Sequence, residues 1–224
     1  MHDLNSETSL SFQTHRFRDW AAADAKPQEG QWECDYDAWP AWHRAVLVCV
    51  ADHVSRPWSF DDIEQVLYAI ARDNDTQYLA REIRMRQPET LLFLTRAALA
   101  HGEAQARWQL AVELEMVAGE ASEHLLLALA TDEDEYVRRR AIRSLTAIGS
   151  AAAEELAWAA WYRPGEHQEW ARMSALECLR QLKSERLRPL LAEALRDTRP
   201  FLRQQAERMR DEELKWAKAS LGGG

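Results

Sequence analysis

The chain has 224 residues, 28 Lys and Arg against 37 Asp and Glu, and a formal net charge of −9. With 46% hydrophobic and 29% charged residues it falls outside both the disordered and the membrane classes. Only 8 Gly and 7 Pro leave too little punctuation for a many-stranded β protein, and so acidic a chain is a poor general binder of nucleic acid.

The start of the chain is polar and acidic and does not read as a secretory signal. The longest apolar stretches, such as residues 45–51, are far short of a membrane span. Cys34, Cys49 and Cys178 are odd in number and scattered, which argues against a disulfide framework and for a reducing cytoplasm. Residues 1–37 lack sustained periodicity; they hold a turn over 26–30 and a short helix near Thr14 to Ala23. From Trp39 onward the pattern is helical. Pro40 sits in a first turn, where its missing N–H costs nothing, and Trp42, Val46, Cys49, Val50 and His53 form one stripe. Ser59 or Asp61 caps the next helix, which carries Ile63, Val66, Leu67 and Ile70 on its apolar face.

Beyond that point the chain repeats itself. The template is Asp132, Tyr136, Val137, Arg138, Ala141, Ile142, Leu145, Ile148 and Gly149. A shift of 34 residues brings Trp170, Ala171, Arg172, Ala175, Leu176, Leu179 and Leu182 onto it. A further 31 brings Asp197, Phe201, Leu202, Arg203 and Ala206. Backwards by 31, Ala106, Arg107, Leu110, Leu114 and Val117 fit, and a weaker copy runs from Asp73 through Tyr78, Leu79 and Ile83. Each copy follows another apolar helix (63–71, 90–100, 124–130, 154–161 and 187–195). The unit is therefore helix A, a short acidic turn and helix B. One such pair cannot bury its own apolar face, so neighbours must stack: an all-α solenoid of about five hairpins.

The segment from Asp132 to Gly149 resembles the core of a HEAT repeat, closest to the short bacterial HEAT-like repeats also seen in phycobilin-lyase-type proteins. The resemblance covers about residues 60–212, at a period shorter than the ~40–47 residues of larger units. It implies a turn Asp (Asp132, Asp197) that caps helix B, an Arg (Arg138, Arg203, with Arg107 and Arg172) that ties neighbouring repeats together, and B helices that line a concave face. The layout expected is an N-terminal cap over 1–58, irregular or helical, repeats over 59–216 and a flexible tail over 217–224.

Catalytic, cofactor and metal sites are not expected. No nucleophile elbow, phosphate loop or zinc-protease motif is present. Glu113 and Glu115, two residues apart on a helix, point to different sides. Cys49 and His53 stand at i, i+4 with His43 on the same helix, but a metal needs further ligands, and a packed Cys beside a half-buried His is the simpler reading. Trp108 aligns with Arg139, an outward position on helix B. The partner surface expected from periodicity is Trp108, Gln109, Glu113, Glu115, Arg139, Arg140, Arg143 and Glu177. Charge is segregated: residues 1–60 carry a net −4, residues 61–135 a net −10 and residues 136–224 a net +5, which a solenoid lays out along its axis.

Two functions fit. One is a non-catalytic protein-binding solenoid, which resembles immunity proteins that neutralise a basic toxin or effector domain through an acidic surface. The other is a relative of HEAT-like DNA glycosylases. It would use Arg139, Arg140, Arg143, Arg180 and Arg208 as a basic track and Trp108, Trp158 and Trp161 as aromatics. The acidic centre opposes wrapping DNA, and a chromophore-lyase relationship ranks last.

Overall fold

A computed structural model describes residues 7–23, 32–53, 55–165 and 167–221, with side chains to residue 212. The described residues hold twelve α-helices and one 3-10 turn, and no strand. None of these helices is long and apolar enough to cross a membrane. The turn expected over 26–30 and the terminal Gly222–Gly224 lie outside the described residues.

The chain divides into two compact units, Met1–Ala141 and Ile142–Gly224. In the first unit the elements are α1 (Leu10–Ala23), the 3-10 turn (Trp32–Asp35), α2 (Trp39–Asp52), α3 (Phe60–Arg72) and α4 (Tyr78–Arg86). They continue with α5 (Pro88–His101), α6 (Ala104–Leu114), α7 (Glu120–Leu129) and the start of α8 (Glu135–Ala147). Odd-numbered helices pack on odd (α1 on α3, α3 on α5, α5 on α7) and even on even (α2 on α4, α4 on α6). That two-layer pattern is the signature of stacked helical hairpins, the architecture of an α-solenoid. It includes α1 and α2, so the N-terminal segment is itself a helical pair.

This first pair is held by aromatics instead of the aliphatic pattern of later copies. Phe17 and Trp42 are fully buried and stacked at 4.5 Å; Trp39 stacks on Trp42 at 5.1 Å, and Tyr36 meets Phe17 edge-on at 5.0 Å. Trp42 Nε1 donates to Thr14 Oγ1 at 3.2 Å, which satisfies the indole N–H inside the core. Pro40 lies at the start of α2, as expected, and Ser59, not Asp61, caps α3 by accepting from the Asp62 N–H at 3.1 Å.

In the second unit α9 (Ala153–Tyr162) packs on α10 (Gln168–Gln181), and α10 on α11 (Leu187–Ala194) and α12 (Pro200–Leu221). The last helix thus reaches into the segment expected as a tail. Trp161, Leu176, Leu179, Leu190 and Leu202 form the core. Helix α8 closes with Gly149 at φ +72°, and Ser150 N–H reaches back to the Leu145 carbonyl at 2.9 Å. One repeat later Lys183 occupies the same left-handed position, φ +54°, with Ser184 N–H on the Leu179 carbonyl at 2.9 Å.

Candidate functional site

The turn aspartates and repeat arginines hold the repeats together, with each aspartate taking the arginine one repeat earlier. Arg107 Nε and Nη2 grip the two Asp132 oxygens at 2.7 and 2.9 Å, and both side chains are nearly buried. Asp132 therefore pairs with the arginine one repeat earlier, not with Arg138. Arg138 instead donates to the Asp132 and Glu133 carbonyls at 2.7 and 2.6 Å. The same 25-residue spacing recurs where Arg172 Nη1 donates to Asp197 Oδ2 at 3.2 Å, while Arg203 turns back to the Asp197 carbonyl. Nor does Asp132 cap the helix. It accepts from the Asp134 N–H in the turn, and Asp134 takes the Val137 N–H at 3.0 Å. Hydrogen bonds from the Arg199 guanidinium hold the Asp197 carboxyl well below the usual carboxylate range.

Of the eight residues expected to form a partner surface, two are not outward at all. Trp108 is 6% exposed and Gln109 1%. Gln109 Nε2 donates to the Ile70 carbonyl at 2.6 Å, which makes it an interhelical tie. The Trp108 ring meets Tyr136 edge-on at 5.2 Å and the Arg140 guanidinium lies 5.5 Å from it, because the first turn of one B helix packs against the first turn of the next. Arg139 lies over Tyr136 at 4.6 Å and bonds Glu135 at 2.9 Å. Glu113 is held by Arg84 at 2.6 Å, whereas Glu115 is exposed. In the second unit Arg143 is exposed, and Glu177 is half-buried with Arg180 on it at 2.8 Å. The basic track and aromatics required for a DNA-glycosylase-like use are largely committed elsewhere. Arg180 also meets Glu212, Arg208 lies 3.9 Å from Glu177, Trp161 is fully buried, and Trp158 is covered by Arg186.

Two features of the B-helix first turns escaped the sequence. In the first unit a cavity of about 430 Å³ opens between Asn74, Asp75 and Gln77, the start of α6 at Ala104 and Gln105, and Asp134 with Tyr136. An edge of Trp108 forms part of its wall. Asp75 is exposed at its rim, and the neighbouring Glu133 side chain is 93% exposed. In the second unit Trp170 and Phe201 stack at 6.0 Å and are 45% and 53% exposed. The signal was available, since Tyr136, Trp170 and Phe201 occupy one repeat position. It reads equally well as core until burial is known.

A third cluster joins α2 to α3. Cys49 is buried, its thiol pushed up to about 12 by burial and by the Asp62 carboxylate, and its Sγ donates to Asp62 Oδ1 at 3.9 Å. His53 Nε2 lies 3.3 Å from Asp62 Oδ2. Asp62 also accepts from Ser59 Oγ at 2.6 Å and Arg56 Nη1 at 3.2 Å; burial alone would raise its pKa, and these bonds more than reverse it. The i, i+4 pair was visible in the sequence; Asp62 was not.

Compared with known families, residues 122–209 match the model for HEAT repeats. No curated protein and no solved structure matches the chain.

Proposed function

We propose, on the premise that residues 122–209 match HEAT repeats, that this chain is a non-catalytic binding module whose Met1–Ala141 unit receives a basic surface of a protein partner. Stacked helical repeats commonly serve protein interaction by presenting side chains from successive repeats. The observation that carries the proposal is the cavity at the first turns of α4, α6 and α8. Asp75 and Asp134 supply negative charge there, and Trp108 and Tyr136 supply aromatic edges and faces. A Lys or Arg side chain suits that combination, since the carboxylates pair with its charge and the ring edges pack along its aliphatic stem.

The wider field agrees. Met1–Ala141 carries 14 basic against 25 acidic residues, a net of −11, which steers a basic partner toward this unit. The specific form of the proposal is neutralisation of a basic toxin or effector domain in the reducing cytoplasm, where free thiols such as those of Cys34, Cys49 and Cys178 persist. The test is titration of the chain with a lysine- and arginine-rich peptide, with a matched acidic peptide and with duplex DNA, each at low and at physiological salt. Saturable, salt-sensitive binding of the basic peptide that Asp75→Asn with Asp134→Asn weakens supports the reading. Binding of DNA in its place contradicts it. For the specific form, co-production with a basic nuclease domain should protect the host cell.

A further inference from the structure

We propose that Cys49, His53 and Asp62 form a binding site for one divalent cation of the zinc class, a role separate from the docking reading above. Helical spacing puts Cys49 and His53 on one face of α2, and the Ser59 cap fixes Asp62 in the first turn of α3 opposite them. One donor atom from each residue lies within 4.8 Å of the other two. Zinc bonds of about 2.3 Å to sulfur and about 2.0 Å to nitrogen and oxygen, in tetrahedral geometry, place donor atoms roughly 3.3–3.6 Å apart. His53 Nε2 lies 3.3 Å from Asp62 Oδ2 and Cys49 Sγ 3.9 Å from Asp62 Oδ1. With one atom from each residue the set closes within 4.8 Å, so its widest edge must contract by roughly 1 Å to hold the ion.

The histidine carries the argument further. Its Nδ1 lies 3.1 Å from the Arg56 carbonyl, which can only accept, so that nitrogen holds the proton and Nε2 presents its lone pair. The side chain is 1% exposed, and Nε2 makes no hydrogen bond although it stands 3.3 Å from a carboxylate oxygen. A buried lone pair facing a carboxylate oxygen is repulsive, and a cation shared by the two would relieve it; Arg56 and Ser59 donate to that same oxygen. No hydrogen bond joins the two atoms. A metal ion at the meeting point of nitrogen, sulfur and oxygen resolves it, and an N–H donated from Nδ1 to a backbone carbonyl is the usual orientation of a metal-bound histidine. Trp58 stacks flat on the ring at 3.8 Å and holds it in that pose.

The donor set selects within the class. A thiolate, an imidazole and one carboxylate suit zinc or cobalt, while magnesium and calcium prefer oxygen alone. Binding would release the Cys49 proton to solvent and displace Arg56, whose side chain is 49% exposed and free to swing out. Three protein ligands leave a fourth position for water or a side chain of a partner.

The experiment is titration of the full chain, under reducing conditions, with Co²⁺ followed by Zn²⁺, read by absorption and by competition with a chromophoric chelator. The site predicts one equivalent of Co²⁺ with a thiolate-to-cobalt charge-transfer band, displaced by Zn²⁺. Cys49→Ser should abolish the band, Asp62→Asn should weaken binding by about tenfold or more, and Cys178→Ser should leave both unchanged. Absence of saturable binding by the unmodified chain overturns the proposal, independently of how any variant folds. A band that survives in Cys49→Ser and vanishes in Cys34→Ser overturns it too.

Discussion

Replacing Arg107 by alanine removes the guanidinium that joins α6 to the turn before α8. The side chain is 12% exposed and its partner Asp132 7%, so the pair is shielded from water and little is lost to screening. Arg107 also donates to the Gly102 carbonyl, and Asp132 retains only the Asp134 N–H once the arginine is gone. Breaking a buried pair by deleting one partner costs about 3–5 kcal/mol, and the lower end applies here because the backbone bond to Asp132 persists. We expect Arg107→Ala to destabilise the Met1–Ala141 unit by about 3 kcal/mol. Asp132→Asn keeps an acceptor for both neighbours and should cost about half as much. The assay is urea unfolding followed by circular dichroism, with hydrogen exchange to confirm that protection is lost in α6 and α7. The double variant Arg107→Ala with Asp132→Ala should fall short of the summed single effects by about 1 kcal/mol or more. A loss below about 1 kcal/mol for Arg107→Ala, or simple additivity, would refute the claim that this pair ties the repeats.

Trp42→Ala, at a fully buried ring stacked on Phe17 and Trp39, should cost about 4 kcal/mol in the same unfolding experiment; a loss under about 1 kcal/mol would mean that α1 and α2 stand outside the core of their unit. Lys183→Gly should stabilise the second unit by about 0.5–1 kcal/mol, because glycine adopts φ +54° without strain, and an unchanged or lowered stability contradicts that cap. The depressed carboxyl of Asp197 contributes stability that is complete above the unfolded carboxylate pKa of about 4 and is lost as pH falls toward its lower folded value. Acid titration of stability should therefore fall less steeply in Asp197→Asn than in the parent chain, and superimposable profiles would remove Asp197 from the account. Trp170→Ala, at a ring 45% exposed, should change stability by less than about 0.5 kcal/mol.

Much of the solenoid was legible in the sequence, because the aliphatic positions of each copy keep helical spacing and four of the five copies keep their Arg. The N-terminal pair was harder to see. Its core is Phe17, Tyr36, Trp39 and Trp42, large rings with no counterpart at the aliphatic positions of later repeats, so no shift aligns it. The turn aspartate and the repeat arginines were recognised, but not which arginine each aspartate takes. Asp132 is within reach in sequence of both Arg138 and Arg107, and only the packing of α6 beside the α7–α8 turn favours the more distant one. Trp108 and Gln109 were read as outward because Arg139 was. Trp108 and Gln109 instead lie against neighbouring helices, while Arg139 folds back on Glu135 and Tyr136 of its own helix. Cys49 and His53 announce a shared face, whereas Asp62 joins them only through the way α2 meets α3.

The central claim, that Met1–Ala141 offers an acidic, aromatic-walled cavity to a basic protein surface, is tested most directly by calorimetric titration of the chain with a lysine- and arginine-rich peptide across a salt series. The account predicts saturable one-to-one binding that weakens steadily with salt and falls by about tenfold, or 1.4 kcal/mol, when Asp75 and Asp134 are both changed to Asn. Equal affinity for an acidic peptide, or binding that is indifferent to both salt and the double substitution, would contradict it.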